Sequence, residues 1–196
     1  MLNACATALT DRLLSKFPTA QAHGAVYIYG FELSLSSLAV MGSVFILSCL
    51  CGAVNTSITF SLIFVSIRLF SGGYHAKTYG HCFILSNGVY LACLGTAHMI
   101  ETLGVTFVCP VMILLSMVVV FALAPIKNNN HLISDASYQK NRNIALIFTT
   151  CEGLYLLVAY FFSFMLQIVC MGSTTMTAVA VLMIVPKIKE RRNKYE

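Results

Sequence analysis

Between Arg68 and Cys82 the chain carries two cations, Arg68 and Lys77, two histidines, His75 and His81, a cysteine and no acid. Long apolar runs flank this island, and Gly72, Gly73 and Gly80 punctuate it. A thiol and an imidazole are the smallest set that supports nucleophilic catalysis at a carbonyl, with cysteine attacking and histidine moving the proton. Ionisable groups held against a bilayer cost a few kcal/mol each, so an island of them reads as function before filler. The working hypothesis from these residues is an integral-membrane cysteine peptidase.

His75 and Cys82 are seven residues apart. On one unbroken helix they would share a face, but about 10.5 Å apart along the axis. A working dyad needs about 3 Å, so the backbone between them must turn, and the three glycines supply the breaks. The expected local structure is a loop carrying His75, a turn at Gly80 and a helix that starts at about Cys82. A helix's first turn and a nearby imidazolium both favour the thiolate form of a cysteine. Backbone N–H groups at the same helix start are suited to receive an oxyanion.

Other readings of these residues stand beside that one. His81 is a rival base, and His75, His81 and Cys82 could be three metal ligands, although zinc normally takes a fourth at more regular spacing. A membrane cysteine is commonly core, and a loop histidine commonly a solvated or capping group. Arg68 could snorkel to the interface or grip a substrate carboxylate. Glu32, in Tyr29-Gly-Phe-Glu32-Leu, sits about two turns inside the first apolar run. A carboxylate there should face other helices, either as a third member orienting His75 or as a partner of Arg68. Glu152 lies inside a later run with no evident partner in the sequence.

Composition sets the frame that positions these groups. Of 196 residues, 58% are apolar and 10% charged, and the mean hydropathy is +0.83. Soluble domains carry about 25% charged residues. The expected fold is all-α: a polytopic membrane bundle in a single domain spanning 1–196. Residues 1–17 read as an amphipathic interfacial helix, with Leu2, Cys5, Leu9, Leu13 and Phe17 at three-to-four spacing and Pro18 ending it. An ordinary helix packed on the bundle fits the same pattern. Six apolar stretches follow, near 24–52, 55–70, 82–100, 105–123, 144–166 and 171–186, and a basic tail covers 187–196. A span needs about 20 residues, so the second is short and the island after it is expected to dip back toward the membrane.

Every Lys and Arg falls on one side of six such spans: Arg12 and Lys16, Arg68 and Lys77, Lys127, Lys140 and Arg142, then Lys187 onward. By the positive-inside rule both termini and the island are expected to be cytoplasmic. No Ala-x-Ala cleavage pattern follows an early apolar core, so no removable signal peptide is expected. The eight cysteines form no CxxC pair and mostly lie in apolar runs (Cys49, Cys51, Cys93, Cys109, Cys151, Cys170), where they should behave as small hydrophobes. The +5 net charge is read as topology, with no nucleic-acid partner. No cofactor loop of the GxGxxG or GxxxxGK[ST] type occurs, so no cofactor is expected, and the missing fourth ligand speaks against a resident metal.

The string Arg68-x3-Gly72-Gly73-x-His75-Ala76-x5-Cys82 resembles the AgrB family of accessory-gene-regulator peptidases. Ala124-Pro125 followed by Asn128, Asn129 and Asn130 is similar too, as are the multi-span layout and basic tail, although the proline expected beyond the asparagines is missing. The resemblance covers essentially the whole chain. It implies a cysteine endopeptidase that removes the acidic C-terminal tail of an AgrD-like precursor and closes the remaining core to a thiolactone. Cys82 would then be the nucleophile, His75 the base and then acid, and Glu32, Arg68, Gly72 and Gly73 orienting or substrate-binding groups. It also implies a bacterial cell membrane and a homodimer. The competing class is a small membrane transporter or exporter using Glu32 and Arg68 as intramembrane sites, in which Cys82 would be replaceable.

Overall fold

A computed structural model describes residues 2–16, 24–71, 79–126, 135–163 and 165–193. The order is α1 (Leu2–Lys16), α2 (Gly24–Leu50), α3 (Val54–Ser71), α4 (Tyr79–Thr102), α5 (Val108–Leu123), α6 (Asp135–Phe161) and α7 (Leu166–Asn193), with no strand among the described residues. Five helices are long and apolar enough to cross a membrane, and α5 is a shorter apolar one. The protein is therefore a helical membrane bundle, as its composition requires.

Helix ends follow local chemistry. After α2, Gly52 adopts φ +66°, and the Ala53 and Gly52 N–H groups donate to the carbonyls of Ser48 (2.8 Å) and Cys49 (3.2 Å). Gly104 (φ +67°) does the same after α4, with Val105 donating to Ile100 and Gly104 to Glu101, each at 3.1 Å. Both are Schellman closures, which need a left-handed residue and so favour glycine. α5 stops because Pro125 follows Ala124: a residue before proline is driven out of the helical region, and Ala124 sits at ψ 143°. Its 16 residues span about 24 Å, less than a 30 Å hydrocarbon core.

Several boundaries differ from the sequence expectation, among them the turn between the last two helices: α6 ends at Phe161 and α7 starts at Leu166, five residues before the expected 166 and 171. α4 starts at Tyr79 rather than at Cys82. α6 starts at Asp135, nine residues before its apolar stretch, because the polar segment Asp135–Asn143 is helix-competent and merely leaves the hydrocarbon. α7 runs through Pro186 into the basic tail as far as Asn193.

α7 is the hub, packing against α3, α4, α5 and α6; α3 and α5 also pack on α6. α2 leans on α3 and α4 from outside, and α1 lies against α2. The face of α3 toward this core reads Thr56, Ser57, Phe60, Ile63, Phe64, Ile67 and Ser71, at three-to-four spacing. Phe60 stacks on Phe64 (4.8 Å between centroids) and meets Tyr90 of α4 edge-on at 5.2 Å, while the Tyr90 hydroxyl pairs with Thr56 at 3.1 Å. α1 buries Ala6 and Thr10, leaving Cys5 and Leu9 exposed. The face docked on α2 is thus one position round from the apolar stripe read in the sequence. Of the cysteines in apolar runs, Cys93, Cys109 and Cys170 are buried, whereas Cys49, Cys51 and Cys151 face outward. An apolar run next to lipid has no need to bury its thiols.

Candidate active site at the island end of the bundle

Gly72, Gly73, His75 and Lys77 lie outside the described residues, as do Lys127, Asn128, Asn129 and Asn130. What is described is the frame that holds the island at both ends. α3 ends at Ser71 and α4 begins at Tyr79, so these two helices flank the island in the chain. Cys82 is the fourth residue of α4, in the first turn, and is half-buried. Four N–H groups of a helix's first turn have no partner within the helix, and the dipole's positive end lies there. The expectation of a cysteine in a helix start is met. His81, the rival base, precedes it and is exposed.

Arg68 occupies the last turn of α3. Its guanidinium lies over the Phe64 ring, 5.1 Å from the centroid, a cation–π contact worth about 1–2 kcal/mol where water is scarce. Phe64 is itself held by Phe60 and the core, so Arg68 has a fixed seat. Arg68 and Cys82 are close enough to interact electrostatically. The structure therefore brings together two of the residues singled out in the sequence, a cation and a thiol from different helices.

Glu32 Oε1 accepts a hydrogen bond from Asn3 Nδ2 at 2.7 Å, tying α2 to α1. Asn3 had no signal in the sequence, being an ordinary residue near a helix start. A further tie runs from the Ile126 N–H to the Ser71 carbonyl at 2.9 Å. It fastens the segment after α5 to the last residue of α3. Ala124–Pro125, a cis peptide, and the buried Ser71 form that junction. Glu152, which lacked a partner in the sequence, meets Ser66 of α3: Ser66 Oγ and Glu152 Oε1 are 2.5 Å apart.

A cysteine in the first turn of α4 and an arginine in the last turn of α3 sit on a polytopic helical bundle, and the class is a helical membrane protein. Residues 6–186 match the accessory gene regulator B (AgrB) family, and the chain belongs to it. Membership ties it to agr quorum-sensing peptide processing, in a membrane protease-like family with an AgrD-like precursor as substrate. No curated protein and no solved structure matches the chain.

Proposed function

We propose that this protein is a membrane-embedded cysteine endopeptidase that cleaves an AgrD-like precursor and closes its core to a thiolactone. The observation that carries the reading is Cys82 in the first turn of α4, within electrostatic reach of Arg68 at the end of α3. His75 removes the thiol proton, and Cys82 Sγ attacks the scissile carbonyl. N–H groups of the α4 start accept the oxyanion. As the C–N bond breaks, His75 returns the proton to the leaving amine, and the acidic tail departs. The core peptide is left as a thioester on Cys82. The substrate's own cysteine then attacks that thioester, its thiol proton passing through His75 to Cys82. One thioester is exchanged for another, so ring closure needs no separate energy source.

Arg68 presents the positive charge that an acidic tail meets beside Cys82. Gly72 and Gly73 let the island turn back toward that helix start. Glu32 orients substrate or the α1–α2 wall. The one-sided Lys and Arg support a topology with both termini and the island in the cytoplasm of a bacterial cell; in this reading α1 lies at the lipid surface and two copies form a dimer.

The test is cleavage of a co-expressed precursor. Cys82→Ala and His75→Ala should each abolish it at unchanged membrane levels, and His81→Ala should be milder. A precursor whose ring cysteine is changed to Ala should be cut once and trapped as an adduct on Cys82 that hydroxylamine releases. Robust cleavage by Cys82→Ala would sink the reading, and free turnover of the cysteine-less precursor would reduce the protein to a simple hydrolase.

A further inference from the structure

Glu152 stands on α6 with its carboxyl toward α3. Oε1 lies 2.5 Å from Ser66 Oγ, while Oε2 is buried with no hydrogen-bond partner among the described residues. Ser66 Oγ is also 2.5 Å from the Leu62 carbonyl and 3.2 Å from that of Ile63. A serine hydroxyl has one proton to give. In apolar helices that proton goes back to the carbonyl a turn earlier, and here Leu62 is in place to receive it. The contact with Glu152 is then left without a proton unless the carboxyl brings one.

The charges around Glu152 agree. α6 packs on α3, α5 and α7. α5 carries no Asp, Glu, Lys or Arg, and the first charge on α7 is Lys187. The one charge on α3 is Arg68, seated on Phe64 and acting on Cys82. The side chain that acts on the Glu152 carboxyl is the Ser66 hydroxyl. An ionised carboxylate with one oxygen buried and unpaired is very unfavourable, whereas the second oxygen of a neutral acid is a weak acceptor whose loss of partners costs much less.

We propose that Glu152 is a neutral carboxylic acid that donates its proton to Ser66, and that this bond positions the end of α3 for the reaction proposed above. The relay runs from Glu152 O–H to Ser66 Oγ, and from Ser66 O–H to the Leu62 carbonyl. It pins α6 to α3 at mid-bundle. One turn nearer the island the same seam continues as Phe148 on Phe70, stacked 5.8 Å apart. Those rings are four residues from Glu152 and Ser66 on their own helices, hence on the same faces. The same last turn of α3 carries Arg68 and ends in Ser71, whose carbonyl accepts from the Ile126 N–H. Glu152 thus acts on the site through α3 and touches none of the reacting atoms.

The proposal rests on the peptidase reading for its consequence but not for its chemistry, and two readouts separate them. Difference infrared spectroscopy on the purified full chain in lipid, comparing wild type with Glu152→Gln near neutral pH, should show a protonated-carboxyl band that the variant lacks. A carboxylate band at Glu152 overturns the proposal, whether or not the protein cleaves anything. For positioning, Glu152→Gln keeps a neutral donor and should retain precursor cleavage within about twofold, because the amide N–H replaces the acid O–H. Glu152→Ala and Ser66→Ala should each lower kcat on the order of tenfold with KM little changed, since a misplaced helix end costs orientation more than binding. The double variant should lose no more than either single one. Equal loss in Glu152→Gln and Glu152→Ala overturns the relay. Should Glu152→Ala fail to accumulate, the infrared band and Glu152→Gln still decide.

Discussion

α2 and α7 are the two most apolar long helices, with mean hydropathies of 2.0 and 2.1 over their best windows. Yet only 12% of that window is buried in α2 against 61% in α7. The two make opposite kinds of surface from the same overall hydropathy. On α2, Leu38, Phe45, Ile46 and Leu50 point out of the bundle, and no atom approaches within 4 Å of the position a side chain would take at Gly42. On α7, the run Val169–Met176 is buried without a break, and it is rich in small and hydroxyl residues: Cys170, Gly172, Ser173, Thr174 and Thr175. In lipid, apolar surface gains little by leaving hydrocarbon for protein, so close packing and interhelical hydrogen bonds select the hub. Hydropathy says which helices enter the membrane. Small residues say which helix the others gather around.

Substitutions at three glycines and one threonine sharpen this contrast, from the largest effect downward. At Gly172 a Cβ would lie 2.6 and 2.7 Å from the two terminal carbons of Leu156 and 3.2 Å from Ile63 Cδ1. Leu156 is fully buried and has nowhere to swing. Gly172→Val should therefore destabilise by about 1–3 kcal/mol or more, read as a fall in thermal unfolding temperature in detergent. A variant as stable as wild type would mean that α7 is not the hub.

Gly153 on α6 comes next. Its Cβ would meet Met117 Sδ at 2.6 Å, but a thioether on three rotatable bonds can move aside. Gly153→Ala should cost less than about 1.5 kcal/mol, and a loss matching Gly172→Val would mean that α5 and α6 are as tightly fitted as α7. Thr174 Oγ1 has three carbonyls in reach of its one proton, that of Cys93 across helices at 3.4 Å and those of Cys170 and Met171 on its own helix at 3.0 and 2.9 Å. Thr174→Val, which keeps the volume, should cost about 0.6 kcal/mol, the usual size of such a bond in a membrane; denaturant or thermal titration resolves it. Smallest of all, Gly42→Ala should stay within about 0.5 kcal/mol of wild type. Destabilisation there comparable to Gly172 would show α2 to be covered rather than lipid-facing, and would erase the contrast.

Much of the site's scaffolding could be read from the chain. The glycines and charges between Arg68 and Cys82 interrupt the apolar pattern, so a break between two helices had to fall there, and Cys82 had to lie near the start of the second. Boundaries were less legible where polar segments continue a helix, as at Asp135 and beyond Pro186, because leaving hydrocarbon and leaving the helix are different events. Side-chain partners were less legible still. Asn3 with Glu32, Ser66 with Glu152 and Ile126 with Ser71 join residues 29, 86 and 55 positions apart, and no local period encodes such pairs. α1 illustrates the limit at short range: its apolar stripe is real, but docking chose Ala6 and Thr10, the neighbouring small face that lets two helices approach.

By itself the sequence determined the number and order of the apolar helices, and the island as the place where chemistry-bearing residues interrupt the bundle. These follow from hydropathy, backbone sterics and the cost of burying charge, all of which act within a few turns of chain. The tertiary structure alone decided that α7 rather than α2 lies at the centre, that Arg68 comes within reach of Cys82, and that Glu152 pairs with Ser66. Those outcomes depend on how helices of equal hydropathy fit against one another. In a membrane that choice is made by side-chain shape and by the need of each buried polar group for a partner, and neither is visible until the helices meet.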